Sequence, residues 1–210
     1  DLEYVYYIAK KGIPIWFFSL EMTGKELPGR LMSKESYISS QKINNNLVNT
    51  DELTALRKDC LTFKDLPLYI DDTPALSIQR LRSKALRMKR EHGIEMLIID
   101  YLQLMDGTDS KDNREQEISK ISRGLKKLAK ELDIPIIALS QLSRNVELRT
   151  SKKPQLSDLR DSGAIEQDAD MVIFLLRPEY YDITEYLYGN EPMNTEGLMI
   201  HIIAKFRGGI

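Results

Sequence analysis

The chain has 210 residues, of which 42% are hydrophobic and 30% charged, and its formal net charge at pH 7 is −2. This length is enough for a domain that buries its own core, and no apolar run approaches the ~18 residues of a membrane span, so we expect a soluble protein with no membrane partner. The small net charge argues against an indiscriminately basic coat for nucleic acid. Cys60 is the only cysteine, which excludes an intrachain disulfide. With no visible signal peptide, this predicts a reducing compartment, the cytoplasm.

Apolar runs alternate with helical patterns along the chain, which predicts an α/β fold of parallel strands joined by crossover helices. The predicted strands are residues 13–19, 66–70, 95–100, 134–140, 171–176 and 198–205. The predicted helices are residues 24–38, 51–64, 77–92 and 114–132, preceded by a helix tail at residues 1–11. The helix at 114–132 is the clearest because its apolar residues recur at steps of three and four: Ile118, Ile121, Leu125, Leu128 and Leu132.

The apolar run from Leu97 to Met105 is interrupted by one carboxylate, Asp100. A strand buried on both faces has such a continuous apolar sequence, and open α/β sheets bind ligands at the carboxyl edge where Asp100 would lie. An acid in this position, the Walker B acid, holds the magnesium ion of a bound nucleoside triphosphate. An aspartate that ends the strand and starts a helix is the alternative.

Two other predicted strands end in polar side chains. Glu21 follows the first strand, so it and Asp100 are expected to converge on one site, where one acid holds the metal and the other orients or deprotonates water. Gln141 follows the strand at 134–140 and would lie beside Asp100 if the two strands are neighbours. A helix-dipole role for Glu21 and a simple strand end for Gln141 remain alternatives.

Cations stand in two places that suit phosphate binding. Between Arg144 and Asp161 five basic residues face three acids, and the segment Leu159-Arg160-Asp161-Ser162-Gly163-Ala164 predicts a short helix whose amides, with Arg160, hold a phosphate. Lys205 and Arg207 lie two apart on the last strand and would point to one side. They could reach a neighbouring subunit's phosphates, as an arginine finger does, or simply protect an exposed strand edge. A merely solvated loop is the alternative for the first group.

Seven segments, in this order along the chain, resemble the C-terminal motor domain of DnaB-type replicative DNA helicases. They are Phe18-Ser19-Leu20-Glu21-Met22, the run from Leu97 to Met105, Asn113-Arg114-Glu115-Gln116-Glu117-Ile118, Leu125 to Leu132, Ala138 to Arg144, Asp158 to Asp170 and Ala204 to Arg207. The resemblance implies one RecA-like motor domain over residues 1–210, with a doubly wound, mainly parallel sheet flanked by helices. It also implies a hexameric homo-oligomeric ring around single-stranded DNA, ATP and Mg²⁺ between subunits, and possible primase and helicase-loader partners in a bacterial or phage-infected cell.

The resemblance also implies roles for individual residues. Glu21 matches the catalytic glutamate that activates water, Asp100 the Walker B metal ligand, and Gln141 the sensor of the γ-phosphate. Lys205 and Arg207 match cations that act in trans on the ATP of the adjacent subunit. A loop that contacts the DNA backbone is matched by Arg160, Asp161 and Gly163, although the family more often has Glu at the position of Asp161.

One family motif has no counterpart in the sequence, the phosphate-binding loop G-x-x-x-x-G-K-[ST]. The family places it just upstream of the helix whose tail begins at Asp1, so we expect the chain to be a fragment that binds ATP poorly alone. Two alternatives remain open. The first is a non-catalytic DNA-binding or ring-assembly module, and the second is a RecA-type recombinase ATPase.

Overall fold

A computed structural model describes residues 2–24, 26–74, 76–106, 113–159, 163–189 and 191–208. They fall into two compact units. The first comprises Asp1–Thr108 and Lys127–Leu139, and the second comprises Asp109–Lys126 and Ser140–Ile210. A single motor domain over the whole chain stays a prediction.

The first unit is built on four parallel strands. They are β1 (Ile15–Ser19), β2 (Leu68–Asp71), β3 (Met96–Asp100) and β4 (Ile136–Ala138), in the order β2-β1-β3-β4. The chain places β2 on one side of β1 and then β3 on the other, so the winding direction reverses between β1 and β3. Such a switch point opens a crevice at the carboxyl ends of the strands, where doubly wound folds bind their ligands. The predicted α/β class with a parallel sheet is confirmed.

Helices join these strands, within one to two residues of most predicted bounds. They are α1 (Leu2–Lys10), α2 (Glu26–Ser36), α3 (Ser40–Asn44), α4 (Thr50–Lys64), α5 (Ile78–His92) and α6 (Arg114–Leu132). Local signals define the ends of two of them. A capping box between Asn49 and Glu52 starts α4, and α5 runs from an N-cap at Ser77 to Gly93, whose φ of 62° ends the helix. None of the helices in the described ranges is long and apolar enough to cross a membrane.

The core of the first unit forms around β1, all five residues of which are buried. Val5 and Ala9 of α1, Ile15 and Phe17 of β1, and Leu27 of α2 join one buried cluster. Sequence alone explains this arrangement, because the apolar side of a short amphipathic helix must be covered and a fully apolar strand offers the surface. The packing fixes the carboxyl end of β1, from which Glu21 projects.

The strand around residue 137 is shorter than predicted. Residues 134–140 form a strand only over Ile136–Ala138, where they pair with Leu97 to Ile99 of β3. Its partner β3 ends at Asp100, so there is little ladder left to extend β4, although the Leu139 amide still donates to Ile99. A strand needs a partner as well as an apolar sequence.

The second unit contains α7 (Asn145–Leu148), α8 (Gly163–Asp168) and four strands. The strands are β5 (Met171–Leu176), β6 (Glu185–Tyr188), β7 (Glu191–Asn194) and β8 (Ile200–Phe206). The bounds of β5 are those predicted, but β5 and β8 pair antiparallel in a sheet of two strands instead of joining by a parallel crossover. The β6–β7 hairpin was not predicted at all. Leu159, Val172 and Phe174 form the centre of this unit's core.

Candidate functional site

Glu21 and Asp100 lie at one edge of the parallel sheet. Asp100 is the last residue of β3 and pairs in register with Ser19, the last residue of β1. The Leu20 amide donates to the Asp100 carbonyl oxygen at 2.7 Å, so Glu21 comes one residue after this tie between the strands. The exposed Glu21 and the half-buried Asp100 therefore share the switch point. The structure brings together the two acids that the sequence selected.

The electrostatics of this edge confirm that the two carboxylates are close. Burial raises the pKa of the Asp100 carboxyl, and the negative charge of Glu21 raises it further. The guanidinium of Arg30 opposes both effects. Asp100 thus carries a negative charge that its protein surroundings compensate only in part, which is the condition in which a carboxylate gains most from a cation.

Arg30 was not selected from the sequence. It lies on α2, the first helix after Glu21, and lines a cavity of about 360 Å³ together with Asp100. The other lining residues are Leu2, Glu3, Met22, Leu27, Leu31, Ser33 and Lys34. A cation on the helix directly following an acid-bearing strand end was a usable signal, but only packing shows which turn of the helix faces the acid.

The donor set of this edge fits magnesium bound together with a phosphate ligand. In the described part of the chain, no group of three or more His, Cys, Asp or Glu side chains could hold a metal ion. Magnesium commonly takes only one or two protein carboxylates, and water and substrate phosphates complete its shell. A half-buried Asp100 with a raised pKa, on the wall of an open cavity, suits that mode of binding and does not suit a metal cage made of protein alone.

Gln141 follows the strand that neighbours Asp100. The pairing of β3 with β4 meets the condition on which its selection rested, and Gln141 comes three residues after Ala138, the end of β4. Gln141 itself is exposed and belongs to the second unit. Its contact with a γ-phosphate stays a prediction.

Lys205 and Arg207 converge on the end of α8. The Lys205 ammonium donates to the carbonyl oxygen of Glu166. The Arg207 guanidinium donates to the carbonyl of Gln167 at 2.5 Å and pairs with Asp170 at 3.5 Å. Cations are favoured there because the last carbonyls of a helix lack intrahelical partners and carry partial negative charge. The two side chains share one side of β8, as their spacing predicts.

The predicted DNA-contacting loop is only partly within the described residues. Arg160 and Asp161 lie outside them. Gly163 is the exposed first residue of α8, so the expected short helix opened by glycine and small residues is confirmed.

One of the basic residues in the preceding segment has a structural partner. Arg149 forms a two-point pair with the buried carboxylate of Asp158, with distances of 2.8 and 2.9 Å, and also donates to the Lys153 carbonyl at 2.7 Å. Asp158 in turn accepts from the Gln155 amide at 2.7 Å. The guanidinium of Arg149 therefore folds this segment, which lowers the number of its cations that can face a ligand.

Comparison with known proteins agrees with this geometry. The profile of the DnaB-like helicase C-terminal domain matches residues 2–210, nearly the whole chain. The chain belongs to the DnaB-like helicase family. This membership favours the helicase over the recombinase among the alternatives left by the sequence.

Relatives in the DnaB-like family cover most of the chain but are longer. The replicative DNA helicase DnaB of Rickettsia bellii is 49% identical over 182 residues, which are 87% of this chain and 36% of that protein. DnaB of Geobacillus stearothermophilus is 44% identical over 193 residues, 91% of this chain and 41% of that protein. The chain thus spans well under half the length of these two relatives.

Solved structures show the same fold. The ATPase domain of a DnaB-type helicase matches with a TM-score of 0.90 at 37% identity, covering 100% of this chain and 72% of that one. A DnaB-like replicative helicase, described with its interactions with primase, matches with a TM-score of 0.84 at 39% identity, covering 96% and 47%. The RecA-like fold expected from the motifs is confirmed.

Proposed function

We propose that this chain is the motor of an ATP-dependent replicative DNA helicase that moves along single-stranded DNA as a ring and unwinds duplex DNA. The observation that carries the proposal is the placement of Glu21 and Asp100 at one switch point, tied by the hydrogen bond from Leu20 to Asp100. Membership of the DnaB-like family supports it. The proposed setting is the cytoplasm of a bacterial cell, for a protein of cellular or phage origin.

Each acid has a separate task in the proposed reaction. Asp100 holds Mg²⁺, which neutralises charge on the β- and γ-phosphates of ATP when bound. Glu21, exposed at the crevice, accepts a hydrogen bond from the attacking water and orients it toward the γ-phosphate. Arg30 on the cavity wall offsets the repulsion between the two carboxylates. Gln141 donates to a γ-phosphate oxygen and adds no charge.

The proposed ring places Lys205 and Arg207 against the ATP of the adjacent subunit of a homo-hexamer. Both side chains bind carbonyl oxygens at the end of α8, and α8 begins at the segment proposed to contact DNA. A short helix with the phosphate-directed cations at one end and the DNA loop at the other supports coupling between nucleotide and strand. Movement of the loop would then follow from different contacts in the ATP and ADP states.

The proposed DNA contacts go to the backbone. Arg160, Asp161 and Gly163 form the candidate loop, and phosphate contact there gives little base specificity. A primase partner is proposed because the solved DnaB-like helicase above is described with primase; a helicase loader is proposed by resemblance alone.

A non-catalytic DNA-binding or ring-assembly module is the second candidate. The observation that favours it is the lack of any G-x-x-x-x-G-K-[ST] match in the 210 residues. The retention of both acids, the glutamine and the two cations favours the motor.

Hydrolysis of ATP stimulated by single-stranded DNA tests the proposal, in a longer polypeptide that includes sequence upstream of Asp1. Stimulated turnover that is lost in Glu21→Gln, with nucleotide binding retained, supports the motor. Glu26→Gln is the matched control, because it makes the same change on an exposed residue of α2. No turnover in the folded, DNA-bound protein would favour the non-catalytic module.

A further inference from the structure

The turn that carries Glu21 is closed by a buried side chain. Ser19 is 1% exposed. Its hydroxyl donates to the carbonyl oxygen of Met22 at 2.7 Å and accepts from the amide of the same residue at 3.2 Å. Both backbone groups on the far side of Glu21 are thereby held by one hydroxyl, which fixes the path of the chain through the exposed glutamate.

A second contact holds the end of this turn from the neighbouring strand. The Asp72 carboxylate accepts the Gly24 amide at 2.8 Å, across 48 residues of sequence. The approach is close, because a Cβ atom at Gly24 would lie 3.2 Å from the same carboxylate oxygen. Asp72 directly follows β2, whose last residue, Asp71, pairs in register with Phe18 of β1. The turn is therefore held from outside as well as from within.

The chain on either side of Asp72 is itself fixed. Asp71 accepts both the hydroxyl of Thr73 at 2.6 Å and its amide at 3.0 Å. The Lys84 ammonium donates to Asp71 at 2.7 Å and to Thr73 at 2.6 Å, and lies 5.6 Å from the centre of the Phe18 ring. This network ties the end of β2 to α5 and to β1, so the Asp72 carboxylate projects from a rigid support.

We propose that Ser19 and Asp72 are positioning residues that hold Glu21 where it can orient water, an inference that rests on the proposed role of Glu21. Three contacts surround that glutamate along the chain: Leu20 to the Asp100 carbonyl, Met22 to Ser19, and Gly24 to Asp72. An exposed carboxylate has no packing of its own to fix it, so its place relative to Asp100 depends on these backbone contacts. A displacement of about 1 Å in such a group costs up to about a hundredfold in rate.

The test measures ATP turnover and hydrogen exchange in the longer polypeptide with Ser19→Ala, Asp72→Ala and Asp72→Asn. The two alanine variants are expected to lower kcat between about tenfold and about a hundredfold, with the KM for ATP within about twofold, because the turn orients water and does not grip the nucleotide. Asp72→Asn keeps an oxygen that accepts the Gly24 amide, so it should restore most of kcat. A peptide covering residues 20–24 should exchange faster in both alanine variants and at the wild-type rate in Asp72→Asn.

Controls and a parallel Glu21→Gln variant separate the two proposals. Ser83→Ala removes an exposed hydroxyl on α5 and Asp65→Ala removes an exposed carboxylate after α4, and both should behave as wild type. If Glu21→Gln is inactive while both alanine variants keep kcat within about twofold, the positioning role is wrong and the motor stands. Unchanged exchange in the 20–24 peptide also overturns the positioning role. If Glu21→Gln retains full turnover, the proposed role of Glu21 fails, and the positioning role fails with it.

Discussion

The amide of Leu20 donates to the carbonyl oxygen of Asp100 at 2.7 Å, which ties the turn after β1 to the last residue of β3. Glu21 follows Leu20 directly, so the two carboxylates share one rigid edge, and the charge of Glu21 helps to raise the pKa of Asp100. Separate parts of one reaction are thus placed by a backbone contact that no side chain makes.

Substitution of Asp100→Asn should abolish magnesium-dependent turnover in the longer polypeptide. The change removes the metal's charged ligand, and a bound metal supplies several kcal/mol to the transition state, so we expect a loss of more than about a hundredfold in kcat and a higher Mg²⁺ requirement. A titration of turnover against Mg²⁺ measures both effects. Asp106→Asn, which changes an exposed residue in the same unit, is the control. Wild-type Mg²⁺ dependence in Asp100→Asn would contradict the assignment of the metal ligand.

Mixed rings should show whether Arg207 acts in trans. Glu21→Gln and Arg207→Ala subunits are each expected to be inactive alone. When mixed, some interfaces combine an intact Glu21 from one subunit with an intact Arg207 from its neighbour, and turnover should return. Mixing Glu21→Gln with the Glu21→Gln/Arg207→Ala double variant should restore nothing. If the first mixture is as inactive as its components, Arg207 acts within its own subunit or only supports α8.

Single-stranded DNA binding should weaken uniformly in Arg160→Ala. A lost phosphate contact reduces the slope of log K against log salt by about 0.7, whatever the base sequence. Affinity for oligo-dT and for a mixed sequence, measured at several salt concentrations, gives this slope. Arg57→Ala, an exposed arginine of α4, is the control, whereas Arg149→Ala would also break the pair with Asp158. A loss confined to one base sequence would indicate base reading instead.

Acid should weaken the segment around Asp158. The Arg149 guanidinium holds the pKa of the Asp158 carboxyl below its usual range, and the amide of Gln155 assists. This carboxylate therefore stabilises the fold above its unfolded pKa of about 3.9, and that contribution is lost as the pH falls through its lower folded pKa. Asp158→Asn should lower the free energy of unfolding at pH 7 by about 2 kcal/mol, and the difference from wild type should shrink as the pH falls below about 4.

Hydrogen exchange in peptides covering residues 143–159 suits this measurement. Trp16, the only tryptophan, lies in the first unit, so its fluorescence reports on the other part of the chain. Glu147→Gln removes a carboxylate from an exposed residue in the same segment and should change little. Equal exchange in wild type and Asp158→Asn at pH 7 would show that the pair with Arg149 adds nothing to stability.

Elements with a complete local signal were predicted well. The bounds of α6 and β5 match because a long amphipathic period and a bounded apolar run contain their own information. The β6–β7 hairpin was missed although Gly189-Asn190 is a turn signal, because Pro192 and the exposed side chains of β7 give no strand pattern. The shortened β4 shows the reverse case, an apolar run that outlasts its partner.

The sequence by itself determined which chemical groups are available and where each strand delivers them: Glu21 after β1, Asp100 at the end of β3, and paired cations on β8. Only the tertiary structure decided that Arg30 faces Asp100, that Asp72 holds Gly24, and that Arg149 is paired with Asp158. The physical reason is that these contacts depend on strand register and helix rotation. Both are set by the simultaneous packing of distant segments, whereas hydrophobic periodicity and end signals are local.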